Sequence, residues 1–310
     1  MIKISHEVPL DLLEQSRWFN DYDYALVHLL DKYQKYFDFY KQSLELGREV
    51  VLNNTPHEFG EPLTMAEYAA WIEKLHPTYY VVPNKLWDSD ETIETAVKWM
   101  KEYGNNLPKD IKRIGVAQGE FYQDISYTYK FMDTMCDKIA FTFQFHPYLV
   151  KRVKSTIKFD KTTQNHIYVR NSKEIKFNEE MSDIDVQALI RYIVLKELSI
   201  DKTINTHKEH HLLGIQNTSF LHEACQFSWI TSINTSNPVV YGYVGKQYET
   251  CETFYDDVTN YHTGNVGIAK SKIMLQDIFS EPLKDKGNLW QNLEKIKQNI
   301  SAFKDIIKDC

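Results

Sequence analysis

Neutral amides recur in this chain where short apolar runs end. Asn53 and Asn54 close EVVLNN, Asn84 follows YYVVP, Gln118 stands beside Gly119 in GVAQGE, Gln144 lies in FTFQF and Asn234 in INTS. An amide carries a donor and an acceptor in one plane, so a circle of them suits a planar, hydrogen-bonding ligand such as a nucleobase. Other groups near these ends can do acid–base or contact chemistry: His28 in ALVHLLD, His57 and Glu58 in TPHEFG, Asp88 in WDSDE, Glu120, and Gly214 in HLLG. Each also has a plainer job open to it. Asparagine ends strands for turn reasons alone, Gln118–Gly119 fits a tight strand-to-helix turn, and Glu58 can fix its own turn through backbone N–H groups. His28 reads equally as a core histidine, and the adjacent His210–His211 as structural. Trp87, Phe143, Phe145 and Tyr241 also stand near strand ends, where an aromatic ring can stack on a planar ligand.

The elements that must position these residues are short β-branched runs, each followed by a helical pattern. Strands are expected at Ile2–Ser5, Tyr24–Leu30, Val50–Asn53, Tyr79–Pro83, Arg113–Gln118, Lys138–Phe143, His211–Ile215 and Trp229–Asn234. Helices are expected over residues 30–46, 64–75, 89–104, 122–135 and 183–198, near 219–226, and over 289–307. Thr64 and Glu67 have capping-box spacing, and Ser89 is the expected cap of the third helix. Eight strands alternating with helices predict an α/β fold, a (β/α)8 TIM-type barrel, with a doubly wound open sheet as the competitor. The Gly-rich turn of dinucleotide folds is missing. One domain spanning residues 1–310 is expected, interrupted between strands six and seven by a basic insertion at 145–180.

Composition narrows the function classes. The 310 residues are 43% hydrophobic and 25% charged, with no apolar run near membrane-spanning length and no signal-type apolar region in MIKISHEVPLD, so a cytoplasmic protein is expected. Cys136, Cys225, Cys251 and Cys310 are scattered without a Cys-x-x-Cys pair, which predicts no metal site and reduced thiols. A net charge of −7 argues against a chain basic all over. Residues 151–176 nevertheless hold eight Lys/Arg against two acidic residues. Lys151, Arg152, Lys154 and Lys158 are therefore candidates for contact with a nucleic-acid backbone, against the alternative of a solvated charged insertion.

In order along the chain, LNNTPHEFGEP, VVPNKLWDSDE, GVAQGE, HLLG and INTS resemble motifs of the tRNA-guanine transglycosylase superfamily over about residues 20–240. The resemblance is strongest to the phage and bacterial branch that places 7-deazaguanine bases in DNA, since the zinc motif of the tRNA enzymes is not visible. It implies a barrel enzyme that exchanges guanine in DNA for a free 7-deazaguanine through a glycosyl-enzyme, with no other cofactor. DNA and the free 7-deazapurine are the implied partners, and tRNA the alternative. By motif, the nucleophile falls on Asn234, the acid/base on Asn53 and the base reader on Asn84. Gln118, Gly119, Gly214 and Asn54 complete the implied base site, and His57, Glu58, Asp88 and His28 could support it.

All three implied aspartates are thus asparagines. An amide is isosteric with a carboxylate but neutral, and it is a poor nucleophile. Four readings follow. The chain is a catalytically silent relative that binds base or nucleic acid; it works through another carboxylate such as Asp88, Glu58 or Glu120; it prefers an adenine-type edge; or the amides are deliberate substitutions.

Overall fold

The computed structural model describes residues 1–54, 63–163, 165–170, 173–177, 181–215, 218, 220–243 and 289–308. The chain begins with β1 (Lys3–His6), α1 (Leu13–Ser16) and β2 (Asp23–Leu26), followed by α2 (Val27–Lys32), α3 (Gln34–Glu45) and β3 (Val50–Asn53). Next come α4 (Met65–Leu75), β4 (Tyr79–Val81), α5 (Ser89–Trp99), β5 (Lys112–Ala117), α6 (Tyr122–Met135) and β6 (Lys138–Phe141). The basic stretch then forms α7 (Pro147–Thr156) and β7 (Lys158–Asp160), β8 (Asn165–Arg170) and β9 (Lys173–Phe177). The order closes with α8 (Asp183–Ile200), β10 (Glu209–Leu212), α9 (Leu221–Cys225), β11 (Ile230–Thr235), α10 (Asn237–Tyr243) and α11 (Leu289–Lys308).

Eight strands make one parallel sheet in the order β1-β11-β10-β6-β5-β4-β3-β2. The two outer strands face each other. Asp21 N–H donates to Ile4 O at 2.9 Å, and Ile4 N–H donates to the Asp21 carboxylate at 2.8 Å. The Tyr22 hydroxyl reaches Ile233 O at 2.8 Å. The sheet is therefore nearly closed into a barrel, consistent with a TIM-type architecture, and all its strands end on one side. β7, β8 and β9 form a separate antiparallel sheet between the sixth and seventh strands of the barrel.

Register and the two-residue alternation of strand side chains decide what lines the interior. Ser5 pairs with Asn234, Tyr24 with Val51, Val51 with Tyr79, and His211 with both Ala140 and Ser232. Ser5, Tyr24, Asn53, Gln118, His211, Ser232 and Asn234 thus share the inner face. A register shift between His210 and His211 sets His211 opposite Ser232. At the amino-terminal end, the buried Lys138 ammonium lies 3.1 Å from Glu209 and 3.7 Å from Glu49, over the Tyr79 ring. Charge compensation makes that burial tolerable, and it closes the end opposite the amides.

Among the departures from the sequence expectation, two concern candidate site residues. The run YALVHLL is not one strand: it leaves the sheet after Leu26 and turns helical, with Val27, Leu29 and Leu30 buried. An apolar run buried on all sides has no period to separate strand from helix. His28 accordingly sits on α2. The cap of α5 is Asp88, not Ser89, because its carboxylate accepts the Glu91 N–H at 2.8 Å. The Thr64–Glu67 capping box forms as the spacing requires. No described helix is long and apolar enough to cross a membrane.

Candidate active site at the carboxyl ends of the strands

One cluster joins the ends of β1, β2, β3, β10 and β11. Gly214, at φ +62° where a side chain would be strained, donates its N–H to Asn234 Oδ1 at 3.1 Å. That backbone donor fixes the amide's orientation. His211 Nε2, 3.0 Å from the same oxygen, must then carry the proton. Its Nδ1 is left to accept from the Ser232 hydroxyl at 2.9 Å. Burial holds the His211 ring near a pKa of about 3, so it is a neutral donor. The Tyr24 ring lies parallel to His211 with centroids 6.3 Å apart, and Asn53 Nδ2 donates to the Tyr24 hydroxyl at 2.6 Å.

The remaining side of Asn234 meets a residue that the sequence reading did not nominate. Asn234 Nδ2 donates to Glu7 Oε1 at 2.7 Å. Glu7 follows β1 directly, and its N–H donates to Thr235 O at 3.1 Å, which places it at the same end of the barrel. The residue keeps some solvent contact, yet burial of its carboxyl outweighs the Asn234 bond and lifts it to about 7. It lay outside every quoted motif, and only the pairing of β1 with β11 brings it to Asn234.

A second cluster lies across the ring of strands, above β4, β5 and β6. Trp87 N–H donates to Gln118 Oε1 at 3.3 Å, so Gln118 Nε2 faces Asn84 Oδ1 at 3.0 Å. Asn84 Nδ2 in turn donates to Val82 O at 3.1 Å. The Trp87 indole N–H reaches Gln144 O at 3.1 Å, and the residue adopts φ +67°. A left-handed tryptophan is strained, and surrounding bonds must hold it. Phe143, Phe145 and Tyr241 are buried, whereas Trp87 keeps partial exposure. It is the aromatic of those four best placed to offer a face to a ligand.

The other nominated residues fall as follows. Asn54 Nδ2 donates to Leu63 O at 3.3 Å, which ties Leu63 to the end of β3. Gly119 lets its turn approach α6: a Cβ there would meet Asp124 Cβ and Ile125 N at 2.6 Å. Asp88 is occupied as a helix cap, and burial lowers the His28 ring on α2 to about 4. His57 and Glu58 lie outside the described residues. On the basic segment Lys151, Arg152 and Lys158 are exposed, with Tyr148 and Phe159 exposed beside them, while Lys154 pairs with Asp183 at 2.7 Å. The Arg191 guanidinium is buried 5.0 Å from the Phe143 ring centre and donates to Gly214 O, bracing the turn that orients Asn234. Burial pushes the Cys136 thiol up to about 12, which makes it an unreactive core residue. Among the described residues, no three His, Cys, Asp or Glu side chains gather into a metal-binding group.

Compared with known proteins, the chain matches no family model and no curated protein.

Proposed function

We propose that this chain is a base-exchange transglycosylase of DNA, replacing guanine with a free 7-deazaguanine at the mouth of a TIM-type barrel. The observation that carries the reading is the fixed amide Asn234, clamped by His211, Gly214 and Glu7 at the carboxyl ends of the strands. Opposite it, the Asn84–Gln118–Trp87 chain supplies amides and a ring face for a planar base. Sugar chemistry on one side and base recognition on the other is the division of labour that exchange at C1′ requires. Incubating the protein with guanine-containing DNA and labelled 7-cyano-7-deazaguanine should transfer label into the DNA. Absence of transfer would sink the reading.

A second reading, base binding without turnover, is favoured by the neutrality of Asn53, Asn84 and Asn234. It calls for bound but unincorporated label, with transfer appearing only after Asn234→Asp and Asn53→Asp.

DNA contact is assigned to α7 and β7. Charge reversal at Lys151, Arg152 and Lys158 should weaken DNA binding and lower the slope of log K against log salt by about one per lost phosphate contact. Unchanged affinity and slope in a salt titration would remove this surface from the interface.

A further inference from the structure

We infer that Glu7 is the nucleophilic carboxylate of this site, taking the place that the amides cannot fill; the inference rests on the base exchange proposed above. Displacement at an anomeric carbon calls for a carboxylate close to C1′ to bond to it as positive charge develops. Asn234 and Asn53 are neutral, and both are tied into hydrogen bonds. Asp88 is spent on its helix cap. Glu7 touches Asn234 at 2.7 Å, on the inner face and at the end of the barrel where the amides gather. Ser5 precedes it on that face and pairs with Asn234, and its fully buried hydroxyl makes no hydrogen bond to the protein. The amide at 234 and the carboxylate at 7 also explain each other. The amide N–H satisfies one carboxylate oxygen, whereas an aspartate at 234 would face Glu7 acceptor to acceptor. The carboxylate has in effect moved one strand over, from β11 to the end of β1.

The step balances as two displacements. A Glu7 oxygen forms a bond to C1′ while the C1′–N9 bond of guanine breaks, its electron pair leaving on N9, which takes up a proton. The incoming 7-deazaguanine gives up its own N9 proton and uses that electron pair to bond to C1′. The C1′–O bond breaks as this bond forms and returns its pair to the carboxylate, with no net proton or redox change.

The test is exchange of labelled 7-cyano-7-deazaguanine into guanine-containing DNA by the full chain and by Glu7→Gln, whose amide oxygen still accepts from Asn234. The variant is expected to lose on the order of a hundredfold or more of the exchange rate. It should still bind the free base and melt no lower than the parent. The parent should also accumulate a covalent protein–DNA adduct when the free base is omitted, with mass spectrometry placing the deoxyribosyl mass on the peptide holding Glu7. That mapping uses the parent alone and stands even if the variant folds poorly. Exchange within about threefold of the parent, or an adduct on another carboxylate, overturns Glu7 and leaves base exchange intact. A parent that neither exchanges nor forms an adduct overturns both.

Discussion

Lowering the pH from 7 should unfold this protein near about pH 5, over a narrow range. Burial holds His6 and His211 at about 3 and His28 and His210 at about 4, so all four rings are neutral in the fold. Unfolded, each titrates near its ordinary value of about 6.5. Below that value the unfolded chain binds more protons than the folded one, and stability falls with pH until the folded values are reached. Glu7 works the other way. Its carboxyl, raised to about 7, holds a proton in the fold that the unfolded chain releases, so its contribution is full below about 4.5 and is lost as pH rises through 7. Between those limits four imidazoles stand against one carboxyl, a net three protons, or roughly 4 kcal/mol per pH unit. A domain of ordinary stability, about 5–15 kcal/mol, is exhausted over roughly one to four such units, and one in the middle of that range over about two. Circular dichroism against pH should show a single loss of signal, with a steepness corresponding to about three protons. His210→Phe, which keeps an aromatic ring between Tyr129 and Trp229, should remove one of them. Glu7→Gln should instead steepen the transition. A native spectrum at pH 4 would show that these rings do not govern acid stability.

The alternation of strands and helices was legible in the sequence because most barrel strands are short β-branched runs followed by an amphipathic stretch. Val50–Asn53 coincides with β3, and the Thr64–Glu67 spacing with its capping box. The boundary at Leu26 was not legible, because YALVHLL is buried on every side and its turn into α2 is decided by packing. The amides could be nominated one by one as strand ends, since that follows from local pattern. Their bonds could not. Glu7 meets Asn234 across 227 residues of chain, through the pairing of β1 with β11. The left-handed Trp87 and the register shift that turns His211 toward Ser232 are likewise products of tertiary context. The candidate site was legible as a set of residue types, and the Glu7 carboxylate beside Asn234 was legible only in three dimensions.

Asn234→Asp should destabilise the protein at pH 8 far more than at pH 5.5, and it should not raise base exchange. The new carboxylate keeps the bonds from Gly214 N–H and His211 Nε2 through one oxygen, so the fold around it has no reason to rearrange. Its second oxygen takes the place of Nδ2, 2.7 Å from Glu7 Oε1. Two carboxylates at that distance share one proton, and the pair resists losing it. At pH 5.5 the shared proton bridges them and little stability is lost. At pH 8 the fold must either keep a proton that the unfolded chain has released or hold two charges in a mostly buried site, a loss of roughly 3–5 kcal/mol. The melting temperature should then fall by roughly 5–8 °C relative to the parent at pH 8, with a much smaller gap at pH 5.5. A gap of equal size at both pH values would mean that the Glu7–Asn234 contact does not govern the substitution. For exchange the same pair is unproductive near neutrality, because the shared proton takes away the ionised form of Glu7 that would attack C1′. An active Asn234→Asp protein made from an inactive parent would instead favour the silent, base-binding reading, in which the amide at 234 is the missing acid itself.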